Sequence, residues 1–228
     1  MINPKDSYQQ TAPLQYINEK NTLGKIGAYV KHWGSSALIS GGNKALNSSM
    51  DLIVSSLNNH GVTWYKHKFI GECSTRNIQL ITKKIEEKNV DMIIGVGGGK
   101  SIDSAKVAAE KANCKMIAIP TIAATCAATS SISIIYNDDG TFNKTYYLRE
   151  HPSLVIIEPD IIAKAPVKYL KSGIIDSISK WYEGKSVMEG LDNPDIFSLS
   201  AINLAKLLKE QLFKSSYKAI EQCHKKYC

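Results

Sequence analysis

Along the chain, short apolar runs rich in β-branched residues alternate with longer stretches whose apolar positions recur every three or four residues. The first pattern is that of a strand and the second that of a helix. Thr22 to Trp33 has helical spacing, with Leu23, Ile26 and Val30 on one face. Ser36 to Ser40 reads as a buried strand closed by Gly41-Gly42, and Asn43 to Asn59 as a helix that stops at His60-Gly61. Val62 to Ile70 is strand-like, Ser74 is placed to N-cap a helix running to Lys88, and Val90 to Gly95 is a continuous apolar strand. A glycine turn, a helix over Ser101 to Ala112 and a strand over Met116 to Ile119 follow. This rhythm predicts an α/β fold, a mostly parallel sheet with helices on both faces. Ile132 to Tyr136, turned by Asn137-Asp138-Asp139-Gly140, reads instead as one arm of a hairpin, and Leu154 to Ile157 as the last strand.

After Pro166 the pattern changes. Tyr169 to Glu189 and Ser198 to Ala219 carry long helical periods with no strand between them. The expected organisation is therefore an α/β domain over residues 1–164 and an all-helical portion over residues 165–228. Ile196, Leu199, Ile202, Leu204, Leu207, Leu208 and Leu212 are candidates for apolar surface left exposed in the helical part. Such a surface predicts association or poor solubility, and a homo-oligomer is expected.

Composition adds little to this and excludes several classes. The 228 residues are 43% hydrophobic and 21% charged, ordinary for a globular protein. The net charge of +7 is scattered rather than gathered in a basic tract, which favours anionic ligands without pointing to nucleic acid. No apolar run approaches the ~20 residues that span a bilayer, so no membrane partner is expected. The polar N-terminus MINPKDSYQQ lacks the apolar core of an export signal. The five cysteines form no CxxC pair. Together these features predict reduced thiols and a cytoplasmic location.

The candidate chemistry lies at Ile94-Gly95-Val96-Gly97-Gly98-Gly99-Lys100-Ser101. The register does not fit a Walker A loop, whose first glycine would fall on Ile94. It does not fit the dinucleotide fingerprint either, because the third glycine would fall on Lys100. The physics shared by both motifs remains: a strand ends in glycines and a helix begins there, so exposed N–H groups and the positive end of the helix dipole face an anion. Lys100 would add a point charge. Asp103 is expected in the first helical turn, within reach of Lys106.

Four blocks in order carry a family resemblance: Gly71-Glu72-Cys73-Ser74, Gly95 to Ala109, Pro120 to Gly140 and Ala163 to Gly184. The chain resembles the glycerol dehydrogenase branch of the iron-containing (group III) alcohol dehydrogenases, which share the dehydroquinate synthase-like fold. The resemblance implies a Rossmann-like nucleotide domain followed by an all-helical metal domain, with the active site between them. It implies hydride transfer between NAD or NADP and a small alcohol or carbonyl substrate, whose oxygen a divalent metal (zinc or iron) polarises. By matching position, Gly97, Gly98, Gly99 and Lys100 would hold the pyrophosphate. Thr121, Ala124 and Thr125 would line the cofactor, and Ser130, Ile132 and Tyr136 would contact its nicotinamide half. Asp176 matches the family's metal-binding aspartate.

Three positions depart from the pattern. Glycerol dehydrogenases carry an aspartate where this chain has Cys126, a position in the substrate pocket. A neutral thiol cannot accept hydrogen bonds from polyol hydroxyls, and it removes a charge that would repel an acidic substrate. This variant resembles a sub-branch acting on 2-hydroxy and 2-oxo acids, and it shifts the expectation from glycerol to a hydroxycarboxylate. NAD-specific relatives place an acid at the position of Gly42, where it binds the ribose diol. Glycine there, with Lys44 behind it, points to NADP(H). Finally, the family's metal site needs two later histidines. Of His32, His60, His67, His151 and His224, only the last follows Asp176. Catalytic zinc keeps about three protein ligands, so the chain reads as the front part of a longer enzyme.

Two other readings stay open. A sugar-phosphate cyclase related to dehydroquinate synthase would share the glycine-loop domain, although the Pro120 to Gly140 block matches the dehydrogenases instead. A nucleotide-binding chain that lacks the metal histidines and does not catalyse is the third.

Overall fold

In the computed structural model, residues 11–227 are described, with side chains to residue 223. The polar N-terminal decapeptide and Cys228 lie outside the described residues, as does the side chain of His224. The chain divides into two compact units, Ala12–Ala165 and the part from Pro166 onward.

The first unit is built on six parallel strands. In chain order these are β1 (Gln15–Asn18), β2 (Ser36–Gly41), β3 (Thr63–Lys68), β4 (Met92–Gly97), β5 (Lys115–Pro120) and, after a hairpin, β8 (Leu154–Ile157). They lie in the order β1-β8-β5-β4-β2-β3. The connecting helices are α1 (Ile26–Val30), α2 (Asn43–Asn59), α3 (Thr75–Lys88) and α4 (Gly99–Lys111). Alternation along the central strands supplies two cores. Ile39, Ile94 and Ile117 face one side and pack with Leu46, Ile53 and Leu57 of α2, while Leu38, Ile93 and Ala118 face the other and pack with Ile81, Ile85, Ile102 and Ala105 of α3 and α4. Every residue of β4 is buried, as a strand covered on both faces requires.

Local chemistry sets the helix ends. The Ser74 hydroxyl accepts from the Asn77 N–H and starts α3, and Asn89, in the left-handed region at φ 45°, ends it. The Thr22 to Trp33 segment departs from the predicted single helix. It is a five-residue helix flanked by two 3₁₀ turns, yet Leu23, Ile26 and Val30 are fully buried as their spacing required. A hairpin of β6 (Ile132–Tyr136) and β7 (Phe142–Tyr147) forms its own two-stranded sheet, turned at Asn137 to Thr141. It is strapped to α4: the Ser133 hydroxyl donates to the Asp103 carbonyl, and the Tyr146 hydroxyl to Glu110 Oε1. The short α5 (Pro159–Lys164) closes the unit.

The second unit contains α6 (Val167–Glu189) and α7 (Ile196–Tyr227). Ser198, Ile202, Ala205, Lys209, Leu212 and Ser216 are the half-buried positions through the middle of α7. Their alternating spacing of four and three is that of a helix–helix seam. At this seam a Cβ on Gly184 would stand 3.0 Å from Ile202 Cδ1, and Lys209 Nζ lies 4.5 Å from the Trp181 ring centre. Among the described residues no helix is long and apolar enough to cross a membrane.

Candidate functional site

Strand order creates one special place in the first unit. From β2 the chain turns through α2 to the edge strand β3, whereas from β4 it turns through α4 to β5 on the other side. The carboxyl ends of adjacent β2 and β4 therefore form a topological switch point, the usual ligand crevice of an open α/β sheet. Both ends are glycine turns. Gly41 lies opposite Val96 in the register, and a Cβ on Gly41 would come within 2.6 Å of the Val96 carbonyl oxygen. Only glycine permits this approach. Gly97 adopts φ 140°, a backbone conformation that side-chain-bearing residues rarely tolerate.

Two helices start at this point with no side-chain cap: α2 behind Gly42 and α4 behind Gly98. The first helical bonds are Leu46 N–H to the Gly42 carbonyl at 2.9 Å and Ile102 N–H to the Gly98 carbonyl at 3.1 Å. The N–H groups ahead of them in each first turn face outward, together with the positive ends of both dipoles. Beside the α4 turn, Gly97, Gly98, Gly99, Ile102, Pro120, Ile122, Thr125, Ala127 and Ala128 line a crevice. A Cβ on Gly98 would stand 2.8 Å from Ile122 Cδ1, so a side chain there would fill the cradle. Chemically, such a crevice accepts an anion flanked by apolar surface. The outward N–H groups and the positive helix ends suit an anion such as the diphosphate of a dinucleotide.

Of the residues expected at the site, Gly97, Gly98, Gly99 and Thr125 line this crevice. Thr121 is buried behind it and donates its N–H to the Gly97 carbonyl at 3.0 Å. Ala124 is half-buried, Cys126 is exposed between Thr125 and Ala127, and Gly42 and Lys44 sit at the start of α2, where Lys44 is exposed. Ser130, Ile132 and Tyr136 are not among the lining residues. The Ser130 hydroxyl donates to the Ile132 carbonyl, and the Tyr136 N–H donates to the Cys73 carbonyl at 2.9 Å.

Lys100 carries its charge beside the glycine turn, where its Nζ pairs with Glu72 Oε1 at 2.5 Å. One sequence expectation needs correction. Asp103 is in the second turn of α4 rather than the first, because the helix starts at Gly99 behind an extended Gly98. Its pairing with Lys106 does form, at 2.8 Å, and both side chains are almost entirely buried. Burial raises the Asp103 carboxyl above its ordinary range, and the Lys106 ammonium opposes that shift.

The sequence match is decisive. The family model for iron-containing alcohol dehydrogenases covers residues 13–159. The chain belongs to the iron-containing alcohol dehydrogenase family. It is 36% identical over 214 residues to glycerol dehydrogenase 1 of Schizosaccharomyces pombe, covering 92% of this chain and 47% of that protein. It is 36% identical over 162 residues to hydroxycarboxylate dehydrogenase A of Escherichia coli K12, covering 70% of this chain and 44% of that protein. The crystal structure of glycerol dehydrogenase from Schizosaccharomyces pombe superposes with a TM-score of 0.87 at 35% identity, over 97% of this chain and 57% of that one. The chain thus spans about half the length of the curated relatives it matches.

The metal ligand expected from the resemblance lies in the second unit. Asp176 lies on α6, half-buried, with Oδ1 3.9 Å from Lys180 Nζ. Among the described residues no three His, Cys, Asp or Glu side chains gather in a group able to hold a metal ion. The described residues therefore fit the nucleotide and do not fit the metal. Sequence reasoning gave no role to Glu72, and it treated Lys106 only as a local partner of Asp103. The available signal was a lysine embedded in Ser104-Ala105-Lys106-Val107-Ala108-Ala109, a run too apolar for a solvated face.

Proposed function

We propose that this chain supplies the nucleotide-binding half of an NADP(H)-preferring oxidoreductase whose substrate is a small 2-hydroxy or 2-oxo acid. The observation that carries this reading is the pair of uncapped helix N-termini at the switch point, each preceded by glycine. The α4 turn would hold the diphosphate through the N–H groups of Gly99, Lys100 and Ser101, with Thr121, Ala124 and Thr125 behind it. The nicotinamide, when bound, supplies or accepts the hydride; Ser130, Ile132 and Tyr136 belong to the segment assigned to that half.

The adenosine end would fall at Gly42. A Cβ at Gly42 would meet no atom within 4 Å, and its φ of −68° suits any residue. Space therefore does not forbid an acid there. Its absence spares a 2′-phosphate repulsion, and exposed Lys44 adds attraction. Fluorescence titration is expected to show tighter binding of NADPH than of NADH. Gly42→Asp is expected to reverse that order, by roughly tenfold or more. Equal affinities in the parent chain would reject the NADP(H) preference.

At the substrate end, Cys126 supports an acid over a polyol, because an uncharged, exposed thiol replaces a carboxylate in the matching position. Turnover of 2-oxobutanoate or 2-oxoglutarate against dihydroxyacetone tests this, and a clear preference for dihydroxyacetone would reject it. A second reading is favoured by the lack of a metal-ligand group among the described residues. In it the chain binds the nucleotide without metal-dependent turnover. NADPH binding with no turnover in the presence of added Zn²⁺ or Fe²⁺ would select it.

A further inference from the structure

Lys106 is the most unusual charged residue of the first unit. Its side chain is only 2% exposed. Nζ donates to the carbonyls of Ala127 at 2.9 Å, Ser130 at 3.1 Å and Ile132 at 2.5 Å. An ammonium has three N–H donors, so these carbonyls use all of them. The Ser130 hydroxyl is a further neighbour at 3.3 Å. Asp103 Oδ1, 2.8 Å away, has no aligned donor and serves as the counter-charge, while Oδ2 accepts from the Ile134 N–H at 3.2 Å. The Ala127 and Ser130 carbonyls come from a stretch without helix or strand between β5 and β6, whose local bonds include Thr129 N–H to the Cys126 carbonyl, and Ile132 is the first residue of β6. One buried charge from α4 thus ties down the segment that forms a wall of the crevice through Thr125, Ala127 and Ala128. The Leu148 N–H on the Ser131 carbonyl at 2.8 Å and His151 Nδ1, 2.6 Å from the Thr129 carbonyl oxygen, hold it from the other side.

We propose that Lys106 is a positioning residue. Its ammonium templates residues 125–132 and thereby sets the nicotinamide side of the crevice, while the adenosine side at β2 and α2 is built without it. This role rests on the cofactor reading given above. The test compares the parent chain with Lys106→Met, which keeps length and removes the charge. NADPH and 2′-phospho-ADP-ribose, which lacks the nicotinamide, are titrated against both, and hydrogen exchange is followed by mass spectrometry.

Lys106→Met is expected to bind NADPH at least tenfold more weakly and 2′-phospho-ADP-ribose less than threefold more weakly. Amides of residues 125–132 should exchange faster, with those of β2 and β4 unchanged. Equal weakening of both ligands, or no weakening, overturns the proposal, as does unchanged exchange in residues 125–132. Should Lys106→Met fail to fold, Asp103→Asn keeps the lysine, unbalances its charge and is expected to give a smaller split in the same direction. No split in that variant overturns the proposal. A parent chain that binds neither ligand instead rejects the cofactor reading, and the exchange data then judge the templating role alone.

Discussion

Cys73 and Cys126 carry the same side chain in opposite surroundings. Cys73 is fully buried, and burial pushes its thiol up to about 12; Cys114, half-buried, is pushed up to about 11 by the same cause. Cys126 is exposed between two residues that line the crevice. The thiolate is the reactive form, so at pH 8 a thiol with a value near 12 is ionised in only about one molecule in 10⁴. Iodoacetamide at pH 8 is therefore expected to modify Cys126 well before Cys114 or Cys73, as read by peptide mass mapping. Bound NADPH should slow the Cys126 reaction. Modification of Cys73 ahead of Cys126 in the folded chain would contradict the burial assigned to each.

At the scale of elements, the contact between the loop after β3 and the first turn of α4 has a functional consequence. The Lys100–Glu72 pair leaves a carboxylate at the edge of an anion crevice, and any diphosphate arriving there meets it. Glu72→Gln is expected to tighten NADPH about two- to fivefold at low salt, with the gain fading as ionic strength rises, since the Lys100 side chain is 56% exposed and the pair is screened. Weaker binding in Glu72→Gln would instead make Glu72 a support for the lysine. Elements differ in how far they could be read from sequence for a related reason. Asn43 to Asn59 and Thr75 to Lys88 repeat a burial period over several turns, and both helices form where the period places them. Gln15–Asn18 has four residues and no buried one, so β1 exists only through its pairing with β8 and leaves no apolar signature. The glycine turn was legible as an anion site because strand, glycines and helix are contiguous. Lys106 was not, because its acceptors are backbone carbonyls more than twenty positions away and a carbonyl has no sequence identity.

For the whole molecule, burial is distributed unevenly enough to predict how the chain comes apart. Ala37, Leu38 and Ile39 of β2 and Met92, Ile93 and Ile94 of β4 are each completely buried, within two continuous cores. From Pro166 onward, Ile174 is the one buried residue among those whose side chains are described. Leu204, Phe213 and Tyr217 of α7 are 65%, 64% and 79% exposed. Helices this poor in buried contacts rest mainly on local propensity, which is marginal in water. The helical unit should therefore open at lower denaturant than the α/β unit. Far-ultraviolet circular dichroism, which reports helix, is expected to fall before hydrogen exchange reaches the amides of β4. Sparing trypsin should cut at Lys206, Lys209 or Lys214 before Lys106 or Lys115. One coincident transition by both probes would contradict this. Protein concentration adds a further discriminator. If copies of the chain cover the apolar stripe of α7, the early transition moves to higher denaturant as concentration rises, because association stabilises only the folded helices. If the stripe stays bare, the early transition stays where it is while the late one is unaffected in either case.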